Sequence, residues 1–167
     1  MNKYPLFCIT FLLLMASSAL SQDVQFKYDD AIDFSKFKTY KWITLNSEAP
    51  IDKLTDEQIK AAVDAALSKR GLTKISDAGT ADLLVGYQTT ELIDEQFAKI
   101  PTWDSTPRTI YQGDLAIDMY TLANHNLVWR GVASKTLDPK AKPEKRQKNL
   151  NKAVAKLMKN YPPPAAK

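Results

Sequence analysis

The stretch GDLAIDMYTLANHNLVWRGVAS, residues 113–134, reads as a β-hairpin. Leu115, Ile117 and Met119 alternate with Asp114, Ala116 and Asp118, the period of a strand with one buried face. Ala123, Asn124, His125 and Asn126 supply turn chemistry, and the run from Leu127 to Ser134 returns, so 113–135 forms the hairpin. With Asn124 at the centre of the turn, antiparallel partners mirror about it. Met119 then faces Trp129, Ile117 faces Gly131 and Asp118 faces Arg130. Alternation assigns Met119, Ile117 and Trp129 to the core and turns Asp118 and Arg130 to the other face as a directly opposed charge pair. If that pair is exposed it contributes only about 0.2–1 kcal/mol, and Asp118→Ala is expected to be mild.

Reading towards the N-terminus, Leu83-Leu84-Val85-Gly86-Tyr87 is a continuous apolar run, the mark of a central strand covered on both sides. Residues 91–108, with Pro101 and Pro107, show no firm period and read as an excursion or an irregular strand extension. Val24, Phe26 and Tyr28 alternate as a first strand, and Lys38 to Ile43 is a second, rich in aromatic and β-branched residues. Thr55 with Gln58 reads as a capping box. Ile59, Val63, Ala66 and Leu67 then form one apolar helical stripe, which Gly71 ends. Leu72 to Ser76 is a short strand. After a basic linker over 138–143, Leu150, Ala153, Val154, Leu157, Met158 and Tyr161 mark a last helix, stopped by Pro162 to Pro164. The order ββαββββα implies an α+β fold: a single mostly antiparallel or mixed sheet with two helices packed on one face. Ile59, Val63, Leu67, Leu150, Val154 and Leu157 are the expected helix contribution to the core.

The whole chain has 167 residues, 44% hydrophobic and 25% charged, with a formal net charge of +4. That suits one globular domain and excludes a collagen-like, disordered or disulfide-dense chain. Residues 1–21 read as a secretory signal peptide: Lys3, an apolar run from Leu6 to Ala16, and small residues at Ala19 and Ser21. The run is well short of the roughly 20 residues that span a bilayer. Cys8 sits inside it behind Pro5, Leu6 and Phe7, a poor place for lipidation. Cleavage after Ser21 removes this sole cysteine and leaves a single domain over 22–164 with a loose tail at 165–167. Thiol catalysis and cysteine-ligated zinc are then excluded.

Several stretches occur together and in order: DFSKFKTYKW at 33–42, ADLLVGY at 81–87, GDLAID at 113–118, LVWRGVA at 127–133, and Ala153 to Pro163. In that order the chain resembles the bacterial exported family known as domain of unknown function 4136, over about residues 23–163. The resemblance implies an exported cell-envelope α+β domain with no assigned activity and no established catalytic residues. Many relatives look like lipoproteins, whereas no cysteine follows the apolar run here.

The candidate chemistry is thin. His125, the only histidine, lies in the hairpin turn with no nucleophile or orienting carboxylate to pair with. Asp29, Asp30 and Asp33 lack the spacing and glycine of a calcium loop and read as turn and cap residues. Asp114 and Asp118 share a strand face but stand about 13 Å apart, at roughly 3.3 Å per residue, too far for a glycosidase pair. Lys140, Lys142, Lys145, Arg146, Lys148 and Lys152 form a basic run that reads as a solvated helix face or as a contact for anionic lipid or polysaccharide. Trp42, Tyr87 and Trp129 read as core aromatics rather than a ligand groove. No catalytic, cofactor-binding or metal residue is assigned, and no cofactor is expected. Nucleic acid is not an expected partner, and no transmembrane span is expected after cleavage. The sequence thus suggests a periplasmic or secreted protein, a non-catalytic binding or scaffolding module whose partner is another envelope protein or an anionic envelope surface. The alternatives are a hydrolase whose carboxylates meet only in the fold, or a peripheral binder of anionic surfaces.

Overall fold

The hairpin lies inside the sheet, with a strand on either side of it. A computed structural model describes residues 23–45, 51–96 and 108–163; residues 1–22, where the expected signal peptide falls, 46–50, 97–107 and 164–167 lie outside them. Strands β1 (Asp23–Tyr28), β2 (Thr39–Trp42), β3 (Thr73–Lys74), β4 (Leu83–Gln96), β5 (Arg108–Thr121) and β6 (Leu127–Leu137) form one sheet. Helices α1 (Lys53–Ser68) and α2 (Pro143–Met158) complete the α+β fold. The strand order is β1-β6-β5-β4-β2-β3. β1, β6, β5 and β4 run antiparallel, whereas β2 lies parallel to both β4 and β3. The sheet is mixed because α1 carries the chain from β2 back to a neighbouring parallel strand.

The β5–β6 register is the mirrored one: Met119 opposite Trp129, Ile117 opposite Gly131, Asp118 opposite Arg130. It shifts by one residue past Met119, where Tyr120 pairs with Leu127 through a bulge. Asn124 accepts the Asn126 amide through Oδ1, and His125 takes φ 55°, a left-handed conformation in which His is enriched. Of the segment 91–108, residues 91–96 and 108 form strand and 97–107 lie outside the described residues: β4 and β5 stay paired from Leu83 opposite Thr121 out to Gln96 opposite Arg108.

Ile59, Val63 and Leu67 of α1 and Val154, Leu157 and Met158 of α2 are buried against Leu83, Val85, Ile117, Met119 and Trp129. Leu150 packs against the same core from its margin. Two helix boundaries differ from the sequence reading. α1 begins at Lys53, capped by Asp52, which accepts the Thr55 amide and hydroxyl; Thr55 is therefore the third helical residue and not the cap. Tyr161 lies beyond the end of α2 and fills the core from there, edge-on to Phe34 and Trp129. Gly71, at φ 83°, turns the chain out of α1 while the Leu72 amide reaches back to the Leu67 carbonyl.

Leu67→Ala or Leu157→Ala, each at a fully buried site, is expected to lower unfolding free energy by about 2–5 kcal/mol, measured by urea titration. A change within about 0.5 kcal/mol, the surface range, would remove that residue from the core.

Candidate functional site

Alternation along the central strands produces two unlike faces. Leu83 and Val85 of β4, Leu115, Ile117 and Met119 of β5, and Trp129 and Ala133 of β6 belong to the core beneath the helices; Leu84, Gly86, Asp114, Asp118 and Arg130, one residue out of phase with them, form a face that no helix covers among the described residues. Across that second face runs one registered row: Lys27 on β1, Arg130 on β6, Asp118 on β5 and Gly86 on β4. Leu45 lies over the end of the row, and a Cβ at Gly86 would stand 2.6 Å from its side chain.

The charge pair falls where the sequence places it, but the expectation of exposure is corrected. The Asp118 side chain is 0% exposed and that of Arg130 41%. Arg130 donates from Nε to Oδ1 at 2.6 Å and from Nη2 to Oδ2 at 2.5 Å, and the Tyr120 hydroxyl donates to Oδ2 at 3.2 Å. Nη2 also donates to the Gln88 side-chain oxygen Oε1 at 3.4 Å. The hydrogen bond to Asp118 holds the Arg130 pKa above its ordinary value, and burial followed by Asp118 raises that of Tyr120. Neighbouring planar side chains on the same face close over the carboxylate, which strand alternation alone does not reveal.

On the helix side, carboxylates of α1 tie the helix to the strands. Asp64 Oδ1 accepts from the Tyr40 hydroxyl at 2.7 Å and from Trp42 Nε1 at 2.8 Å, and Oδ2 from Lys74 Nζ at 3.0 Å. Asp56 accepts from the Tyr87 hydroxyl at 2.6 Å and from Lys60 at 3.0 Å. Its pKa is lowered, first by the Tyr87 hydroxyl, while burial and then Asp56 push the Tyr87 phenol up. Asp82 accepts the Lys38 and Thr39 amides and the Thr39 hydroxyl, each at 2.8 Å, with a lowered pKa caused first by the Lys38 amide.

The other candidates separate. Trp42 and Tyr87 meet edge-on at 6.2 Å, and Trp129 is buried with Nε1 on the Asn160 carbonyl; all three act as core aromatics and do not line a groove. Asp29 accepts the Ala31 amide, and Asp33 caps the turn at Phe34–Lys36, so the acidic cluster builds two turns. Asp114 shares the second face with Asp118, and its Oδ1 is buried without a hydrogen-bond partner. The basic run divides. Lys145 pairs with Asp138 at 2.9 Å, and Arg146 donates to the Ala141 and Pro139 carbonyls, fastening the linker to α2. Lys148 and Lys152 line an open groove between α1 and α2 with Gln58, Glu144, Gln147 and Asn151. Lys135, which the sequence did not single out, lies near; burial, then Lys152 and Lys145, lower its pKa. Among the described residues no three His, Cys, Asp or Glu converge as metal ligands, and no helix is long and apolar enough to cross a membrane.

Arg130→Ala leaves a buried carboxylate without its partner, so a loss of about 3–5 kcal/mol is expected in urea unfolding. Asp118→Ala should cost less, because the freed guanidinium already reaches water; equal costs would mean that Asp118 is more open than described. Lowered carboxylate pKa values stabilise the fold above the unfolded-state value near pH 4, and that contribution is lost as pH falls through the folded values. Stability should therefore decline below about pH 4, and Tyr87→Phe should make the decline shallower by releasing Asp56; an unchanged acid limb would contradict this.

The family model described as a domain of unknown function, DUF4136, matches residues 24–163. A solved protein of that family from Bacteroides thetaiotaomicron has a TM-score of 0.59 at 15% identity, covering 87% of this chain and 98% of that one. A PDZ domain protein from Parabacteroides distasonis gives 0.57 at 18% identity over 84% of this chain, which spans only 35% of that protein. The PelC dodecamer from Paraburkholderia phytofirmans gives 0.52 at 12% identity, covering 83% and 95%. At these identities the likeness is one of fold. No curated protein matches the sequence significantly.

Proposed function

The chain belongs to the DUF4136 family over residues 24–163, and on that premise we propose that it is an exported cell-envelope protein, periplasmic or secreted, that binds or scaffolds another envelope component without catalysing a reaction. The address rests on residues 1–21, whose charged start, short apolar run and small residues fit a cleaved signal. The observation that carries the binding reading is how the carboxylates are engaged. Asp56, Asp64, Asp82 and Asp118 all accept from structural donors, which leaves the helix-free sheet face and the sheet edges as the surfaces on offer. A hydrolase built on paired carboxylates would need two acids free to converge on a substrate. Asp114 and Asp118 share a face, but Arg130 closes the second of them.

Intact-mass analysis of the native protein should show a chain starting at Gln22, and crosslinking in the envelope followed by affinity purification should return a reproducible partner. Retention of residues 1–21, or a lipid adduct, would overturn the address. Turnover of an ester, glycoside or peptide that Asp114→Asn abolishes would overturn the non-catalytic reading.

Lys148 and Lys152 on the open groove, with Lys135 near, favour a second reading, peripheral contact with anionic lipid or polysaccharide. Binding to vesicles containing anionic lipid should then weaken with salt and disappear in a Lys148→Glu, Lys152→Glu double variant. Equal binding to neutral vesicles would end this reading.

A further inference from the structure

β1 forms one edge of the sheet, paired with β6 on one side and with no described strand on the other. Asp29 N donates to the Val128 carbonyl at 3.0 Å. In an antiparallel ladder the bonded residues alternate, so Asp23, Gln25 and Lys27 direct their main-chain groups to β6. Val24, Phe26 and Tyr28 direct theirs outward. Their side chains stand on the helix side of the sheet. The Phe26 and Tyr28 rings stack at 6.3 Å and remain 42% and 37% exposed. Nothing in β1 blocks pairing sterically: it holds no proline and no bulge.

We propose that β1 is a self-association edge, pairing antiparallel with β1 of a second copy so that the two sheets run on as one. Two conditions select the register. Outward-facing residues must oppose each other, and the charged residues of the strand must meet their opposites. Both hold when Val24 lies opposite the partner's Phe26 and Gln25 opposite the partner's Gln25. Asp23 then lies opposite the partner's Lys27, and two-fold symmetry repeats the pair. Sliding the strands by two residues towards Tyr28 sets Asp23 against the partner's Asp29, and by four sets Lys27 against the partner's Lys27. The selected register also covers each Phe26 with the partner's Val24 and brings the two Phe26 rings into diagonal contact at about 7–8 Å. A lysine on an edge strand often serves to repel a second strand; here an aspartate stands where such a strand would place its opposing residue. The inference deepens the scaffolding reading and rests on it for its biological role, but self-association of the purified chain is measurable whatever its address.

Sedimentation velocity of the processed protein, from low micromolar to millimolar concentration, should show a reversible monomer–dimer equilibrium. Phe26→Pro removes an outward amide that β6 does not use, so it should abolish the dimer while the urea midpoint stays near that of the parent. Lys27→Asp sets like charges opposite each other twice and should weaken the dimer at least about tenfold. Adding Asp23→Lys to Lys27→Asp restores both opposite-charge pairs and should recover it, a rescue that a purely structural role for Lys27 does not produce. Should Phe26→Pro fail to fold, the charge exchange decides alone. A protein monomeric throughout the range, a dimer indifferent to Lys27→Asp, or a double variant that stays as weak as the single one would overturn the proposal.

Discussion

Pairing Met119 with Trp129 and Ile117 with Gly131 fixes the space into which the helix layer must fit, and the same pairing turns Asp118 and Arg130 to the opposite side. A Cβ at Gly131 would stand 2.5 Å from the Trp129 ring and 3.0 Å from Leu157, so the bare backbone there lets the indole lie flat beneath the end of α2. From that position Trp129 meets Tyr161 edge-on at 5.7 Å and donates to the Asn160 carbonyl, which seats the chain leaving α2 on the hairpin. Sliding β5 by one residue against β6 would bring a carboxylate into this apolar layer and send Ile117 and Met119 outward. Both faces of the sheet depend on that one register.

The position of α1 is set by polar contacts as much as by burial. Tyr40, Trp42 and Tyr87 carry donors into a largely apolar layer, where an unmet donor is costly. Asp56 and Asp64 meet them from α1, on the same helix that contributes Ile59, Val63 and Leu67 to the core. Arg70, just past α1, donates to the Tyr161 carbonyl and closes the layer at the far end. These carboxylates therefore orient a helix. The depressed pKa of Asp56 follows from that task, and both carboxylates would serve acid–base chemistry poorly because their lone pairs are already occupied.

The surfaces left over are of a different kind. Among the described residues one sheet face carries no helix, and β1 has no strand on its outer edge, beside two exposed aromatic rings. β4 pairs with β2 only from Leu83 to Val85, so its outer length also lacks a described neighbour on that side. Flat faces and open edges recognise other strands and other proteins more readily than they hold a small substrate. The affinity of such a surface would come from main-chain pairing and from the charges that select its register.

Element types and the hairpin pairing were legible in the sequence because each depends on near neighbours: the alternation from Leu115 to Met119, the stripe from Ile59 to Leu67, and the turn centred on Asn124. Even there the local rule had limits. Asp52 caps α1 in place of Thr55, since either side chain suits a helix start and the incoming loop selects between them. Residues 91–96 and 108–112 lack alternation yet form strand, because each is held by the other. The placement of β1 beside β6, the engagement of Asp64 by Trp42 and Tyr40, and the burial of Asp118 beneath Arg130 and Tyr120 were decided by the tertiary structure alone. Periodicity and turn chemistry act over a few residues, whereas strand order and exposure are sums over segments that meet only when the chain has closed on itself.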